Sequence, residues 1–463
     1  MKKIVLGASL LSAFCAVAMV SSCSSSGAKD AKKDCCDASS KAAHAAGCCS
    51  STQASLFAYD KEELEEVYAS LSKSYVQMRK NVIRPAKGFL KYDYLVPAGF
   101  YSQLWDWDAF FMANHFISKG EPQHMEHWVK TFAGAVDKDG YVPGCIITTG
   151  PRPIFGKFAM KPFLSQGAYH YSKAVGDFTW LKPYYDNMKK VLAYRKQTQF
   201  DEKYGLYFWD NAMQSGADNN VAMNYFIEDK RSYVCADASA FQYGELLAQS
   251  AIAKAIGKTE DAAAFAKEAQ ELKANVNKYL WNEADKMYYN VNRKEGDQYK
   301  RPSYSCFIPL MYKMQGEANG KAMIANHLLS PEQFKAPYGF RTLTKQDPEY
   351  NNYNIIVPFS NWQGPVWPIA SYIYSIALKN YGFEKEIGWM ATSLGKLLNK
   401  DLETWGTMHE NYHAETGAPL APSQDHVDKD GKFVGFISWN LCMENVMEGV
   451  LFDKWMLLDI EGM

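Results

Sequence analysis

One stretch near the C-terminal end carries the residue types most able to do chemistry. Its His409-Glu410-x-x-His413 segment matches the two-histidine pattern of a zinc metalloprotease helix. The same stretch also contains Glu410-x-Tyr412 with Glu415 shortly after it, which suggests a carboxylate held beside a sugar pocket. In both interpretations Glu410 activates a water molecule, so the rest of the chain has to identify its partner.

Three further stretches combine carboxylates, amides and indole rings, at residues 105–111, 208–220 and 361–368. Each also has a purely structural interpretation. Asp106 and Asp108 could satisfy free N–H groups at a helix start. Ser215-Gly216 and the residues after it fit an ordinary polar turn, and 361–368 fits a Gly-Pro loop with packed tryptophans.

Composition limits the partners that the chain can have. Of 463 residues, 47% are hydrophobic and 22% are charged, as in globular proteins. The formal net charge is −1, so we expect no nucleic-acid partner. Aromatic residues make up 14%, including 30 Tyr and 12 Trp. Such residues stack on sugar rings or fill a large core, and composition does not choose between these uses.

The N-terminal residues are predicted to be a targeting signal. Two lysines precede an apolar run that ends at Val20, and small residues then lead to Cys23. This pattern resembles a bacterial lipoprotein signal over residues 1–22, with lipid attached to Cys23, and a plain secretory signal is the alternative. We expect an exported lipoprotein, periplasmic or anchored at the outer membrane, with a flexible tether at 23–55 and one domain at 56–463.

Ten cysteines occur, and their order fits no strong metal motif. The pairs Cys35-Cys36 and Cys48-Cys49 lie in the tether, where they could bind a metal or cross-link the tail. They lack the C-x-x-C spacing of zinc sites. We predict no metal and no cofactor for the domain, and the pairing of its four single cysteines cannot be deduced from sequence.

Apolar spacing predicts an all-α domain of twelve helices. Short connections that contain glycine, such as Gly176-Asp177, would join the helices into antiparallel pairs. Six pairs indicate an (α/α)6 barrel whose long loops at one end form the site. Few strands are predicted: Leu206–Trp209, Met287–Val291 and Tyr353–Val357. The predicted helices are 61–79, 108–119, 122–136, 163–175, 178–199, 236–256, 259–279, 302–313, 317–329, 364–380, 382–399 and 436–452.

The ordered set of motifs resembles a clan of inverting α-glycosidases that includes trehalases, bacterial mannosylglycerate hydrolases and glycoside hydrolase family 63. Each motif is weak alone, but together they keep the family order from about residue 97 to residue 440. The family fold is an (α/α)6 barrel, in agreement with the helix pattern. The matching elements are Trp107-Asp108-Ala109-Phe110-Phe111, Ser215-Gly216-Ala217-Asp218-Asn219, Pro337-Tyr338-Gly339-Phe340-Arg341, Gly364-Pro365-Val366-Trp367-Pro368, Glu410-Asn411-Tyr412 with Thr416-Gly417, and Ser438-Trp439.

The resemblance implies that Asp218 is the general acid and Glu410 the general base. Inverting hydrolysis needs two carboxyl groups roughly 6.5–9.5 Å apart, so that a water fits on the face opposite the leaving group. We expect Asp218 to stay protonated near neutral pH and Glu410 to be ionised. Glu415 is the second candidate for the base. Candidate sugar-binding residues are Trp107, Asp108, Asn211, Gln214, Arg341, Gln363, Trp367, Tyr412 and Trp439.

Two departures from the family pattern leave the substrate's identity open. Gln363 stands where many relatives have Arg, and Asn220-Val221-Ala222 replaces a frequent Ser-Pro-Arg. Both changes affect the leaving-group side of the substrate. The resemblance implies an α-linked glucoside or mannoside, and we expect a monomer whose partners are this carbohydrate and, through the lipid, a membrane.

Three alternatives stay open. A zinc protease needs His409 and His413 on one helix face, and the Thr416-Gly417 and proline residues that follow argue against a helix. A sugar epimerase or polysaccharide lyase would use His or Tyr as the proton acceptor. A lipid-anchored glycan-binding protein without catalytic activity would need neither carboxylate.

Overall fold

The computed structural model describes residues 56–463 except 154–156, 224–232, 357–359, 424–426 and 428–433. Phe57–Met463 form a compact unit. The predicted signal, Cys23 and the tether lie outside the described residues.

Six helices contact one another in sequence order and close into an inner ring. They are buried on nearly all sides, and the first of them buries every residue from Asp106 to Phe116. The inner helices are α2 (Asp106–Ser118), α4 (Leu164–Val175), α6 (Ala236–Ala255), α8 (Ile308–Met311, after the 3-10 turn Tyr304–Phe307), α10 (Pro368–Asn380) and α12 (Cys442–Phe452, after the 3-10 turn Ser438–Leu441).

Six outer helices pack around this ring, most against their sequence neighbours. They are amphipathic: the first buries Leu64, Val67, Leu71, Tyr75 and Met78, a single stripe at helical spacing. The outer helices are α1 (Lys61–Asn81), α3 (Gln123–Gly134), α5 (Tyr185–Gln199), α7 (Thr259–Asn275, continued by the π-helical Val276–Leu280), α9 (Glu317–Met323, continued by the π-helical Ile324–Leu328) and α11 (Glu384–Trp405).

The fold is therefore an (α/α)6 barrel. Each of the twelve predicted helices corresponds to one inner or outer helix, which in some cases includes a short 3-10 or π-helical turn at one end. The glycine connections behave as expected. Gly176 follows α4 with a φ of +75°, in the left-handed region that a residue with a Cβ rarely adopts, and its N–H bonds to the Ser172 carbonyl. The turn that reverses the chain from α4 toward α5 is thus encoded locally.

Strands in the described residues are short and lie in the loops. Three of these sheets hold the chain on either side of α2 and after α5. They thereby position residues of the cavity described below and of a second cluster of polar side chains. The strands are Ile83–Arg84 with Tyr94–Leu95; Leu104–Trp105 with Cys145–Ile147 and Gly150–Pro151; Phe200–Asp201 with Leu206–Tyr207; Tyr233–Val234 with Asn290–Asn292 and Gln298–Tyr299; Trp281–Asn282 with Met287–Tyr288; and Lys335–Ala336 with Gly339–Phe340.

One predicted strand is wrong over its described part. Residues 353–356 pair with no strand, and the Tyr353 side chain is 71% exposed. The Tyr353 carbonyl accepts a hydrogen bond from the Asn361 side-chain amide instead of from a neighbouring strand. The apolar residues Ile355 and Ile356 belong here to a loop, and Ile356 lines the cavity described below, so a short apolar run did not indicate a strand.

Two further features concern the predictions about membranes and cysteines. Among the described residues, no helix has both the length and the apolar character needed to cross a bilayer. Cys145, Cys235, Cys306 and Cys442 are buried and free. The stability of the described domain therefore rests on packing and hydrogen bonds rather than on links among these four thiols.

Candidate active site

A cavity of about 220 Å³ lies at the barrel end where the inner helices begin. Helices α2, α10 and α12 each bring residues at or just before their first turn to its wall. The cavity is small beside typical ligand sites of roughly 300–1,000 Å³, which suits one sugar unit better than a long oligosaccharide. It is lined by Pro97, Tyr101, Trp105, Trp107, Asp108, Lys161, Met213, Gly216, Asp218, Ile356, Ser360, Trp367, Glu410, Phe436 and Trp439.

Asp218 reaches the cavity from the turn after the short helix Ala212–Ser215. Gly216 makes this turn possible: its φ is +89°, and a Cβ there would lie 2.6 Å from the Trp107 ring. The Asp218 carboxylate accepts hydrogen bonds from the Ser360 N–H and hydroxyl at 3.1 and 3.3 Å. Burial nevertheless raises the pKa of Asp218 to about 6, with Ser360 and Lys161 opposing the rise.

Glu410 enters from the irregular segment that follows α11. Its backbone N–H bonds to the Ala421 carbonyl, which anchors the segment. Among the described residues no donor contacts its carboxylate. Burial, together with the negative charges of Asp218 and Asp108, raises the pKa of Glu410 well above its usual value.

The two carboxylates, 192 residues apart in sequence, thus face one cavity and influence each other's titration. The direction of the Asp218 shift is the expected one, but a pKa of about 6 leaves this group largely ionised at pH 7 in the sugar-free cavity. The pKa of Glu410 is also raised, because no cation or donor in the described residues offsets its burial and the repulsion by its neighbours; that Glu410 is ionised as the base stays a prediction. Two interacting acids of this kind hold a shared proton over a range of pH.

Asp108 is the third cavity carboxylate, on the first turn of α2. The Ser438 hydroxyl donates to it at 3.3 Å. Burial raises the pKa of Asp108 to about 7, while the positive charge of Lys161 opposes the rise. Lys161 is fixed by Asp106, which accepts from its backbone N–H at 2.7 Å and lies 3.3 Å from its Nζ. Among the described residues, Lys161 is thus the single cation on a cavity wall that carries three carboxylates.

Indole rings form the apolar part of the wall. The Trp107 and Trp439 centroids are 5.6 Å apart, and those of Trp367 and Trp439 are 5.9 Å apart. Within the described part of the chain, the buried N–H groups of Trp105 and Trp439 have no hydrogen-bond partner. Ring faces beside carboxylates and free donors are the surroundings that a pyranose ring with its hydroxyls requires.

Five of the predicted sugar-binding residues lie outside this cavity, and two of them support the Asp218 loop. Asn211 caps the short helix Ala212–Ser215 by accepting from the Gln214 N–H at 2.9 Å. The Gln214 amide accepts from Gln199 and from the Asp210 N–H, and donates to the Ala159 carbonyl. Their polar atoms are used within the protein, so their position does not support a sugar contact.

The other three are likewise used internally. Gln363 bonds to the Asn219 carbonyl and to the Asn351 side chain. The Tyr412 hydroxyl donates to Asp401 at 2.7 Å, and Tyr412 is almost fully buried. Arg341 donates to Glu415 and to three backbone carbonyls. Each residue supports the loops that hold the carboxylates rather than the cavity wall.

Several wall residues were not singled out from sequence. Tyr101, Lys161, Ser360 and Phe436 line the cavity. Ser360 directly precedes the stretch 361–368, so widening that stretch by one residue would have included it. Lys161 and Phe436 carry no sequence signal, because only the closure of the barrel brings them to the site.

The His409-Glu410-x-x-His413 stretch does not form the helix that a zinc protease requires. Residues 406–413 are irregular, with one bridge at Tyr412. The His409 ring nitrogen Nδ1 lies 2.9 Å from both oxygens of Asp401, and the His413 Nδ1 accepts from the Glu415 N–H at 3.2 Å. The two rings therefore serve separate contacts and do not share one face.

Comparisons with known proteins agree with this geometry. The sequence model of a family described as "Mannosylglycerate hydrolase MGH1-like glycoside hydrolase domain" matches residues 101–427. No curated protein matches the sequence significantly.

Solved structures show the same fold. The mannosylglycerate hydrolase of glycoside hydrolase family 63 from Thermus thermophilus, in complex with Tris and D-glycerate, superimposes with a TM-score of 0.62 at 16% identity, covering 81% of this chain and 98% of that chain. Its complex with glucose gives 0.60 at 15% identity, with the same coverage. The neutral trehalase from Saccharomyces cerevisiae gives 0.56 at 14% identity, covering 77% of this chain and 73% of that chain. At these identities the likeness shows the (α/α)6 fold alone.

Proposed function

Because this chain belongs to the mannosylglycerate hydrolase MGH1-like glycoside hydrolase family, we propose that it hydrolyses α-linked glucosides or mannosides with inversion at the anomeric carbon. One observation carries the proposal: Asp218 and Glu410 face the same small cavity, beside Trp107, Trp367 and Trp439.

In the proposed reaction Asp218 donates its proton to the departing glycosidic oxygen. Glu410 draws a proton from a water molecule, whose oxygen attacks the anomeric carbon from the opposite face. The bond to the leaving group breaks as the bond to water forms, so the product has the opposite anomeric configuration. Asp108 and the cavity tryptophans hold the sugar.

The titration of the pair supports a single shared proton. Burial raises the pKa of Asp218 to about 6, and burial together with the charges of Asp218 and Asp108 raises that of Glu410 well above its usual value. Two carboxyl groups that repel each other release their protons in separate steps, so the pair holds one proton between those steps. One protonated and one ionised carboxyl group is what an acid and a base require, and the proposal places the proton on Asp218 when substrate is bound.

The hydrogen bonds at Asp218 favour a second assignment, in which the two roles are exchanged. Ser360 donates two hydrogen bonds to Asp218, which stabilise its ionised form, whereas Glu410 has no such donors in the described residues. Under this assignment Glu410 is the acid and Asp218 the base.

Glycosyl fluorides separate the two assignments, because fluoride departs without needing a proton donor. If Asp218 is the acid, Asp218→Asn keeps measurable hydrolysis of the matching α-glycosyl fluoride and loses hydrolysis of alkyl glycosides. Glu410→Gln then loses both activities. The opposite pattern would exchange the roles.

The substrate is best sought among small neutral or weakly acidic α-glycosides. The Thermus structures contain glucose in one case and Tris with D-glycerate in another, and the cavity here suits a single sugar unit in its deepest part. A panel should hold trehalose, glucosyl- and mannosylglycerate, and short α-linked gluco- and manno-oligosaccharides. Proton NMR of the first product gives its anomer: inversion is expected, and retention would overturn the mechanism.

A glycan-binding protein without catalysis is the competing function. It would bind members of the panel without releasing any sugar, and Asp218→Asn would leave its affinity nearly unchanged. We further propose that the chain is an exported bacterial lipoprotein anchored through Cys23, in the periplasm or at the outer membrane. Metabolic labelling with a clickable fatty acid, in the wild type and in Cys23→Ser, tests this anchor.

A further inference from the structure

A second cluster of chemistry-bearing side chains lies away from the cavity, where the hairpin before α2 meets the start of α3. It consists of Asp93, His124 and His127, each of which offers one ligand atom, and these atoms all lie within 4.8 Å of one another. We propose that these three residues bind a divalent transition metal ion of the zinc class, which pins the hairpin to the barrel.

The local structure brings the ligands together in a simple way. His124 and His127 are three residues apart on α3, so their rings leave the same face of the helix. Asp93 directly precedes the strand Tyr94–Leu95 and places one carboxylate oxygen near each ring. Asp93 Oδ2 is 3.0 Å from His124 Nδ1, and Asp93 Oδ1 is 2.8 Å from His127 Nδ1.

These short distances are not accompanied by well-aligned hydrogen bonds. Neither Nδ1 atom has a hydrogen-bond partner among the described residues, although His124 is only 5% exposed. The ring N–H directions therefore do not point at the carboxylate oxygens. A buried polar nitrogen without a partner is costly, and a shared cation between the two nitrogens and the carboxylate would satisfy all three ligands.

The geometry and ligand types fit zinc. Zinc bonds to nitrogen and oxygen of roughly 2.0–2.2 Å place tetrahedral ligands about 3.3 Å apart, close to the separations seen here. Two imidazoles select zinc-like ions over calcium and magnesium, which prefer all-oxygen sites. The side chains of Asp93 and His127 are 34% and 21% exposed, which gives an ion a route into the site.

The rings are also held in place. His127 stacks on Tyr92 with ring centroids 4.9 Å apart, and His124 packs on Phe116 at 4.6 Å. Phe116 is eight residues along α2 from Asp108, which is about 12 Å of helix. The ion would therefore lie too far from the cavity carboxylates to take part in hydrolysis, and its role is structural.

The test measures zinc and cobalt binding by the purified full chain. The tail cysteines could also bind zinc, so every variant is made in a background with Cys35, Cys36, Cys48 and Cys49 changed to Ser. After dialysis against Zn²⁺ and removal of free metal, mass spectrometry of the metal content should give about one equivalent per chain. Asp93→Asn and His127→Gln should each lose this equivalent.

His327→Gln is the matched control. His327 is another half-buried histidine, but its nitrogens bond to Gln333 and to the Asp285 carbonyl. This variant should keep the bound metal. Co²⁺ in place of Zn²⁺ should give visible absorption without the near-ultraviolet thiolate band, and Asp93→Asn should abolish it.

Thermal unfolding provides a readout that does not depend on activity. Zn²⁺ should raise the Tm of the background that lacks the four tail cysteines, and of His327→Gln, and a chelator should reverse the rise. His127→Gln should show no Zn²⁺-dependent shift in Tm. If Asp93→Asn does not fold, His127→Gln alone still tests the site. Equal metal content and equal shifts in the background, Asp93→Asn and His127→Gln would overturn the proposal and leave a metal-free His–Asp cluster.

Discussion

Glu410 and Glu415 lie five residues apart in the same irregular segment, but their carboxylates face different surroundings. Arg341 donates to Glu415 at 2.7 and 2.9 Å, and the Tyr350 hydroxyl donates to it at 2.7 Å. The pKa of Glu415 is lowered: its burial would raise the value, but these hydrogen bonds and the arginine charge outweigh it. For Glu410 every cause acts to raise the pKa.

The difference separates a structural carboxylate from a reactive one. A cation held against Glu410 would keep it ionised and remove the proton that the pair needs. The protein instead uses arginine at Glu415, where the ion pair fixes the segment carrying Glu410. Glu415, the second candidate for the base, is therefore assigned a structural role: it holds the segment that carries Glu410.

The largest contrast should be in activity. Glu410→Gln should lower kcat/KM on the best glycoside of the panel by about 10²–10⁴-fold, the usual range for loss of acid–base catalysis. Glu415→Gln removes no cavity group and should cost less than about tenfold. Steady-state kinetics on both variants measures this, and comparable losses would break the distinction between the two glutamates.

For stability, unlike activity, the Arg341 contact to Glu415 should matter more than the cavity group Glu410. Arg341→Met leaves the partly buried Glu415 without its cation and several carbonyls without a donor. We expect a loss of about 3–5 kcal/mol in the free energy of unfolding. Lys396→Met is the control, since its pair with Glu63 is exposed, and it should cost less than about 1 kcal/mol. Urea denaturation compares the two, and equal losses would refute a supporting role for Arg341.

Glu410→Gln should make the protein more stable at neutral pH while it abolishes catalysis. A carboxyl group whose folded pKa is raised stabilises the folded state at low pH, and this contribution is lost as the pH rises through the folded pKa. The amide has no such penalty, so Glu410→Gln should be more stable than the wild type at pH 8 and nearly equal to it at pH 4. Glu415→Gln should instead destabilise at pH 8, and a gain there would contradict the comparison.

The smallest effect concerns Lys161, the one cation among the described residues that lines the cavity. With Asp218 as the acid, the wild-type kcat/KM should fall on the alkaline side as the pH rises through about 6, where Asp218 loses the proton that the leaving group needs. Because Lys161 lowers the pKa of Asp218 and Asp108, Lys161→Met should move this limb upward by less than about one pH unit. Lys161→Arg should leave the limb in place, and a downward shift in Lys161→Met would exclude the electrostatic role.

Sequence alone provided a correct account of the barrel. The helices could be predicted because each one repeats its apolar residues at a helical period, and because glycine marks the joints between paired helices. These are local properties of the chain. The failed strand prediction, at residues 353–356, occurred where a short apolar run belongs to a loop whose backbone bonds to a side chain.

The motif order also named six residues that the structure brings to one cavity: Trp107, Asp108, Asp218, Trp367, Glu410 and Trp439. It could not decide which polar neighbours of these residues face the sugar. Arg341, Gln214, Gln363 and Tyr412 stand in or beside the same motifs, but their polar atoms satisfy buried backbone groups and side chains. Whether an amide or a guanidinium meets a substrate or a buried carbonyl depends on partners far away in sequence.

The tertiary structure also determines the pKa values of Asp218 and Glu410. A sequence shows that Asp218 and Glu410 are carboxylic acids, and family likeness suggests their roles. Their pKa values depend on burial, on the donors from Ser360 and on the charge of each upon the other. Those influences exist only once the barrel has closed and brought loops 192 residues apart to one end, because charges and donors act through space and not along the chain.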